Sequence, residues 1–410
     1  MPNRKRRVFL VVFVVLLIVC ISLVVLFREA DSVDTFSPDG PYPVIVKIMH
    51  IEHLGRKMPV MVWYPKLREG SSHYLYNTKI RGSAQFDAPS KNKGAPYPLI
   101  VFSHGLGECG CMSVYYTENL ASFGYVVIAP DHKDSMMCHI EGEPDVTFGD
   151  MAVAAGKSFG DLHKTVGILF GDFLKEIGYD FSYRPVEAKA VIDQALAWNS
   201  DPASFLYGMI DPDRIGMTGH SLGGFTSFMI GGMPFHCDED SGPGKCDSAN
   251  TTLDTVDFCC LDSVRKLENP FQLSDRRVVA ILPMGPATFF PQLEKAASEI
   301  KIPIMIITGD DEKMEVEWEP IWTIYTHAPP PKYVIKLKKT DHMTIADFIV
   351  TRRITRLLYP GFRFSFKKKA QAYKDYSVAF FDLYLKGDNA RAEILESASN
   401  RFVELWHKAE

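Results

Sequence analysis

Between residues 98 and 337 the sequence repeats one device, and it restricts the fold more than any other feature. Short, almost wholly apolar runs stand at 98–103, 125–130, 215–219, 278–284, 302–308 and 333–337. In a strand, successive side chains point to opposite faces, so a run that is apolar throughout must be covered on both sides. Segments with helical spacing separate these runs. Val186, Ala190, Val191, Ala195 and Trp198 share one helix face, and 222–230 reads as another helix. Further helices are expected at 291–300, 315–326 and 341–357, with an amphipathic helix near 370–386 closing the chain. Parallel strands need crossover connections of this kind, whereas antiparallel ones do not. The pattern therefore predicts an α/β fold, a mostly parallel sheet with helices on both faces. Two earlier runs, 44–49 and 60–64, predict an antiparallel start and bring the count to eight strands. Residues 66–97 read as a long surface loop.

Twenty uncharged residues at 8–27 stand outside this pattern. As a helix rising about 1.5 Å per residue they span about 30 Å, one hydrocarbon core. The run exceeds the apolar stretch of about 7–15 residues in a cleaved signal peptide, and no small-x-small site follows it. It reads as an uncleaved signal anchor; cleavage would instead give a secreted protein. Arg4, Lys5, Arg6 and Arg7 precede it, and Glu29, Asp31 and Asp34 follow. The positive-inside bias makes 1–7 a cytosolic basic tail and sends the rest to a lumen or the cell exterior. Residues 28–42 then form a stalk and 43–405 the folded domain. The first 28 residues hold five of the 45 basic residues and none of the 50 acidic ones, so the remainder carries a formal charge of −10. An acidic body argues against nucleic acid as a partner.

Residues 233–275 break the alternation, with Cys, Asp, Gly and Ser enriched, and read as an inserted cap. Cys237, Cys246, Cys259 and Cys260 cluster there, beside Asn250, the acceptor of the N-x-S/T sequence. Outside the cytosol this is a disulfide-stapled, glycosylated insert. The paired C-x-x-C or Cys/His spacing of metal sites is absent, and no metal or cofactor is called for. Seven cysteines follow the anchor, so at least one stays a thiol.

The chemistry centres on Gly219-His220-Ser221-Leu222-Gly223, followed by Gly224. A strand before it and a helix after it give G-x-S-x-G its meaning: the glycines permit a tight turn that lifts the Ser hydroxyl clear of the backbone. Ser221 is the candidate nucleophile and needs a base to take its proton. Of the three late histidines, His327 precedes a Pro-rich stretch and His407 lies near the C-terminus. His342 follows the 333–337 run by a short loop and is the candidate base. The acid that orients it should follow the 302–308 run, where Asp310, Asp311 and Glu312 stand together. Spacing favours Glu312, the commoner residue type favours Asp311 or Asp310, and the choice stays open. Two backbone donors are expected for an oxyanion: the Leu222 N–H, and the Leu106 N–H in Ser103-His104-Gly105-Leu106-Gly107.

At these residues the chain resembles the α/β-hydrolase superfamily. More narrowly it is similar to the plasma-type platelet-activating factor acetylhydrolases and their dienelactone-hydrolase-like and polyester-hydrolase-like relatives. The likeness rests on 98–107, on Leu120-Ala-Ser-Phe-Gly-Tyr125 with Asp131-His-Lys-Asp134, on 219–224, on 342–348 and on 380–388. It implies the α/β-hydrolase fold with eight strands and a serine esterase that needs no metal. Its substrates would be short or modified acyl esters, phospholipid among them, and the anchor would hold it near lipid. The acetylhydrolases carry their acid one strand earlier; here that strand reads Ala280-Ile-Leu-Pro-Met-Gly-Pro286, without a carboxylate. Two other readings are a catalytically inactive hydrolase-fold adhesion module and a serine peptidase of the same fold. Lys367-Lys368-Lys369 reads as a solvated loop before the last helix.

Overall fold

The computed structural model describes residues 37–66, 73–78, 80–86, 94–158, 162–237, 257–310, 318–340, 342–345, 360–396 and 402–408. Its strands are β1 (Val44–His53), β2 (Arg56–Pro65), β3 (Gln85–Phe86), β4 (Tyr97–Ser103), β5 (Val126–Pro130), β6 (Ile210–His220), β7 (Val278–Met284), β8 (Ile304–Gly309), β9 (Lys332–Leu337) and β10 (Val403–Lys408). Its helices are α1 (Val114–Ser122), α2 (Phe148–Ser158), α3 (Leu162–Glu176), α4 (Tyr183–Ser200), α5 (Leu222–Ile230), α6 (Asp262–Arg265), α7 (Leu293–Ser298), α8 (Trp318–His327), α9 (Pro360–Phe381) and α10 (Ala392–Glu396).

The strands form one sheet in the order β10-β9-β8-β7-β6-β4-β5-β2-β1-β3. Neighbours from β5 through β4 to β9 run parallel, while β1/β2, β2/β5 and β9/β10 are antiparallel. All eight expected strands are present. The two additions sit at the edges: β3 has two residues, and β10 pairs with β9. The apolar runs behave as their pattern requires. Along β4, Ile100 and Phe102 enter the core shared with α1 and α9, while Leu99 and Val101 enter the core shared with α4 and α5. β4 lies between β5 and β6, so the strand order reverses there, at the topological switch point of the sheet.

Several details differ from the sequence reading. The 66–97 segment is pinned rather than loose where it is described. The buried Glu118 carboxylate accepts the Tyr76 hydroxyl at 2.6 Å and the amides of Ser83 and Ala84 at 2.8 and 3.1 Å. The 341–357 helix is seen only as a 3-10 turn at His342–Ile345, and 346–359 lie outside the described residues. The late helix starts at Pro360 and is followed by a π turn at Asp382–Lys386 and then by β10, so it does not close the chain. Lys367–Lys369 sit inside this helix rather than in a loop. Lys369 is buried and donates its ammonium to the Lys339 carbonyl, its aliphatic stem covered by neighbours.

The 233–275 insert is rooted in the core at both ends. Phe235 and Phe258 stack at 5.7 Å between ring centres and pack with Phe225 and Phe290. Cys237 pairs with Cys259, and Cys260 is also disulfide-bonded. Cys246 and Asn250 lie outside the described residues. A further disulfide, Cys109–Cys138, ties the loop after β4 to the loop after β5, and Cys111 is a buried thiol. At the N-terminal side, Tyr42 N–H donates to Ser122 O at 3.0 Å and Asp39 N–H to Asn119 Oδ1 at 3.0 Å. Residues 39–42 therefore dock on α1. Among the described residues no helix is long and apolar enough to cross a membrane; 8–27 lie outside them.

Candidate active site

Ser221 stands between the end of β6 and the start of α5, with φ 55° and ψ −116°. A positive φ is rare for a residue with a Cβ and marks backbone strain. The flanking glycines show what enforces it. A Cβ on Gly219 would lie 2.5 Å from the Gly223 backbone, and one on Gly223 would lie 1.9 Å from Ser103 O. Only hydrogen at both positions lets the helix start press against the end of β4. Ser221 N–H donates to Met284 O at 2.9 Å, and Ala287 N–H donates to Ser221 O at 3.1 Å. These bonds hold the turn against the end of β7. The Ser221 hydroxyl makes no hydrogen bond within the described residues.

His342 follows β9 and lies beside the same peptide. Its Nδ1 is 3.3 Å from where a Gly285 Cβ would stand, and its ring centre is 4.7 Å from that of His220. Ser221 and His342 thus both lie against the Met284–Gly285 link. The position after β7 is Gly285, so no carboxylate serves His342 from that strand. The 310–312 segment meets the His342 loop through another close approach. A Cβ on Gly309 would lie 2.0 Å from Thr340 O. Asp310 accepts the Lys339 amide, which commits it to the turn before His342. Asp311 and Glu312 lie outside the described residues. His327 and His407 lie on α8 and β10, where His327 Nδ1 donates to Thr323 O and His407 stacks on Tyr333.

The loop after β4 is held by charge. The Glu108 carboxylate accepts Gly105 N–H at 2.7 Å, and Asp134 accepts Gly107 N–H at 3.2 Å. The wholly buried Arg184 donates to the carbonyls of His104 and Gly105 and to Asp134. His104 donates Nδ1–H to Gly105 O at 2.7 Å, while its Nε2 accepts from His132 N–H at 3.1 Å and Ser135 Oγ at 2.9 Å. Behind it, His132 bridges Ser103 Oγ at 2.8 Å and Glu187 at 2.7 Å, and Arg56 caps Glu187 at 2.6 Å. The amides on either side of Leu106 are therefore committed to carboxylates. Among the described residues the Leu106 and Leu222 amides have no protein acceptor, as two oxyanion donors require.

Electrostatics follow this wiring. Burial, with Arg184 close by, pulls the His104 ring down to about 3, so it stays neutral and can accept at Nε2. Burial pushes the Asp134 carboxyl up, but Arg184 and the neighbouring histidines outweigh it and hold the group below its ordinary range. Glu108 behaves likewise: burial opposes ionisation, while His220 and the Gly105 N–H more than offset it. None of Glu108, Arg184 or Glu187 was singled out from the sequence, and Asp134 entered only as part of a matching stretch. They lie up to 79 residues apart and look like ordinary surface charges. The one available signal was an Arg and a Glu three positions apart at the start of a helix whose other face is apolar.

The mostly parallel sheet with helices on both faces is that of an α/β-hydrolase fold, and it places the strained Ser221 in the turn between a parallel strand and a helix. A family model described as platelet-activating factor acetylhydrolase, isoform II, matches residues 33–141, from β1 through the loop after β4 to the loop after β5. Among solved structures, a ferulic acid esterase from Streptomyces cinnamoneus superimposes with a TM-score of 0.57 and 20% identity. That match covers 91% of this chain and 98% of the esterase. The family match supports carboxylic ester hydrolysis by a chain that resembles the acetylhydrolases, and the structural match supports the fold.

Proposed function

We propose that this chain is a serine hydrolase of carboxylic esters. Ser221 attacks the ester carbonyl while His342 takes its proton. The oxyanion that forms accepts the Leu106 and Leu222 amides, and His342 then returns the proton to the departing alcohol. Water, deprotonated by the same His342, releases the acid from Ser221. Glu312 or Asp311 orients His342. The observation that carries this reading is the strained Ser221, pressed by Gly219 and Gly223 against the end of β4, within a pair of uncommitted amides. The substrates we favour are phospholipids with short or oxidised acyl chains. The likeness to the acetylhydrolases over 33–141 supports that choice. So does the apolar run at 8–27, which would anchor the chain at a membrane with the catalytic domain lumenal or extracellular and Asn250 glycosylated.

Ser221→Ala in the full-length, detergent-solubilised protein should cut hydrolysis of a short-chain p-nitrophenyl ester by at least about 10³-fold, with the circular dichroism spectrum unchanged. Turnover within twofold of the parent would overturn the assignment.

A further inference from the structure

Glu108 touches two parts of the proposed site directly and reaches a third through His220. One carboxylate oxygen accepts the Gly105 amide of the loop after β4. Both oxygens lie 3.1–3.2 Å from His220 Nδ1, the residue before the nucleophile. The other nitrogen of that ring, Nε2, donates to the backbone carbonyl of His342 at 2.8 Å. Glu108 and His220 are both essentially buried, so neither partner is shared with bulk water. The chain Gly105 N–H, Glu108, His220, His342 C=O therefore runs from the oxyanion side to the base side beneath Ser221.

We propose that Glu108 and His220 are positioning residues, a buried link that sets the spacing between the oxyanion loop and His342. The inference rests on the ester hydrolase reading above. Two features make this more than ordinary core satisfaction. By taking the Gly105 amide, Glu108 leaves Leu106 as the amide of that turn still open to a substrate. His220 grips the backbone of His342 rather than its ring, so it fixes where the base sits without competing for its nitrogens. Fixing both ends matters because misplacement of a catalytic group by about 1 Å can cost roughly 10²-fold in rate.

The geometry also says which substitution should rescue. Glu108→Gln can accept Gly105 N–H with its oxygen and donate its amide to His220 Nδ1, leaving Nε2–H for His342. Glu108→Ala leaves a buried amide and a buried ring nitrogen unpaired. The test is steady-state kinetics on the full-length protein with p-nitrophenyl acetate, together with the rate of fluorophosphonate attachment to Ser221. Glu108→Ala should lower kcat about 10²-fold with KM within about threefold, and slow the labelling similarly. Glu108→Gln should recover to within about tenfold of the parent. His220→Gln combined with Glu108→Ala should cost little more than Glu108→Ala alone, since both break one link. Additive losses, a kcat for Glu108→Ala within twofold of the parent, or equal losses for Ala and Gln would each overturn the link. If Glu108→Ala does not fold, Glu108→Gln and His220→Gln decide on the same criteria. Labelling of the parent at Ser221 is the control for the ester hydrolase reading, so that reading and the link fail separately.

Discussion

The two halves of the proposed site are held by different physics. On the oxyanion side, Arg184, Asp134, Glu108, His132 and Glu187 fasten the loop after β4 through charged hydrogen bonds in a fully buried setting. On the proposed base side, Gly309 lets the Thr340 carbonyl approach to a distance that no Cβ would allow, and a Cβ on Gly285, whose φ is 47°, would sit only 3.3 Å from His342 Nδ1. The first half is sensitive to charge, the second to volume. The difference suits the tasks. An oxyanion donor must be fixed before charge develops, and low dielectric makes each fixed dipole count for more. A base has only to be brought near and held at the correct angle.

The largest effect should come from breaking the charged half. Arg184→Ala leaves Asp134 buried and uncompensated and takes a donor from the His104 and Gly105 carbonyls, so it should cost about 3–5 kcal/mol in urea unfolding. A loss under about 1 kcal/mol would show that charge does not hold that loop. Gly309→Ala tests the other half. Its Cβ would meet Thr340 O at 2.0 Å, which must displace the turn leading to His342. It should lower kcat about 10²-fold, a larger effect on rate than on stability. Unchanged kcat would mean that the close approach is incidental.

The smallest effect is a pH dependence. Glu108 ionises below its ordinary value of 4.5 in the fold. Its stabilisation is therefore complete above that value and is lost as pH falls through the lower, folded one. As the pH falls below 4.5 the urea midpoint of the parent should fall more steeply than that of Glu108→Gln. Parallel slopes would contradict the assigned shift.

This division also explains what could be read from the chain. The strands were legible because a run that is apolar at every position has few other places to go. The elbow was legible because its glycines, Ser221 and the following helix are contiguous. The place of His342 after β9 was legible because the strand before it is recognisable. The charged half was not. Arg184 reaches His104, 80 residues away, and Glu187 reaches His132, 55 residues away. Nothing local distinguishes these side chains from solvated ones. The Cys109–Cys138 bridge was missed for the same reason, its cysteines lying 29 residues apart on two loops while the cluster at 237–260 drew attention. The placement of β10 and the start of α9 were missed because an edge strand and a Lys-rich helix start carry weak apolar patterns.

The central claim is that Ser221 is the nucleophile of an ester hydrolase. Its most direct test is to treat the full-length protein with a fluorophosphonate probe and locate the adduct by peptide mass spectrometry. One adduct is expected, on Ser221, formed in step with loss of esterase activity. Full esterase activity with Ser221 unmodified, or an adduct elsewhere that tracks the loss, would contradict it.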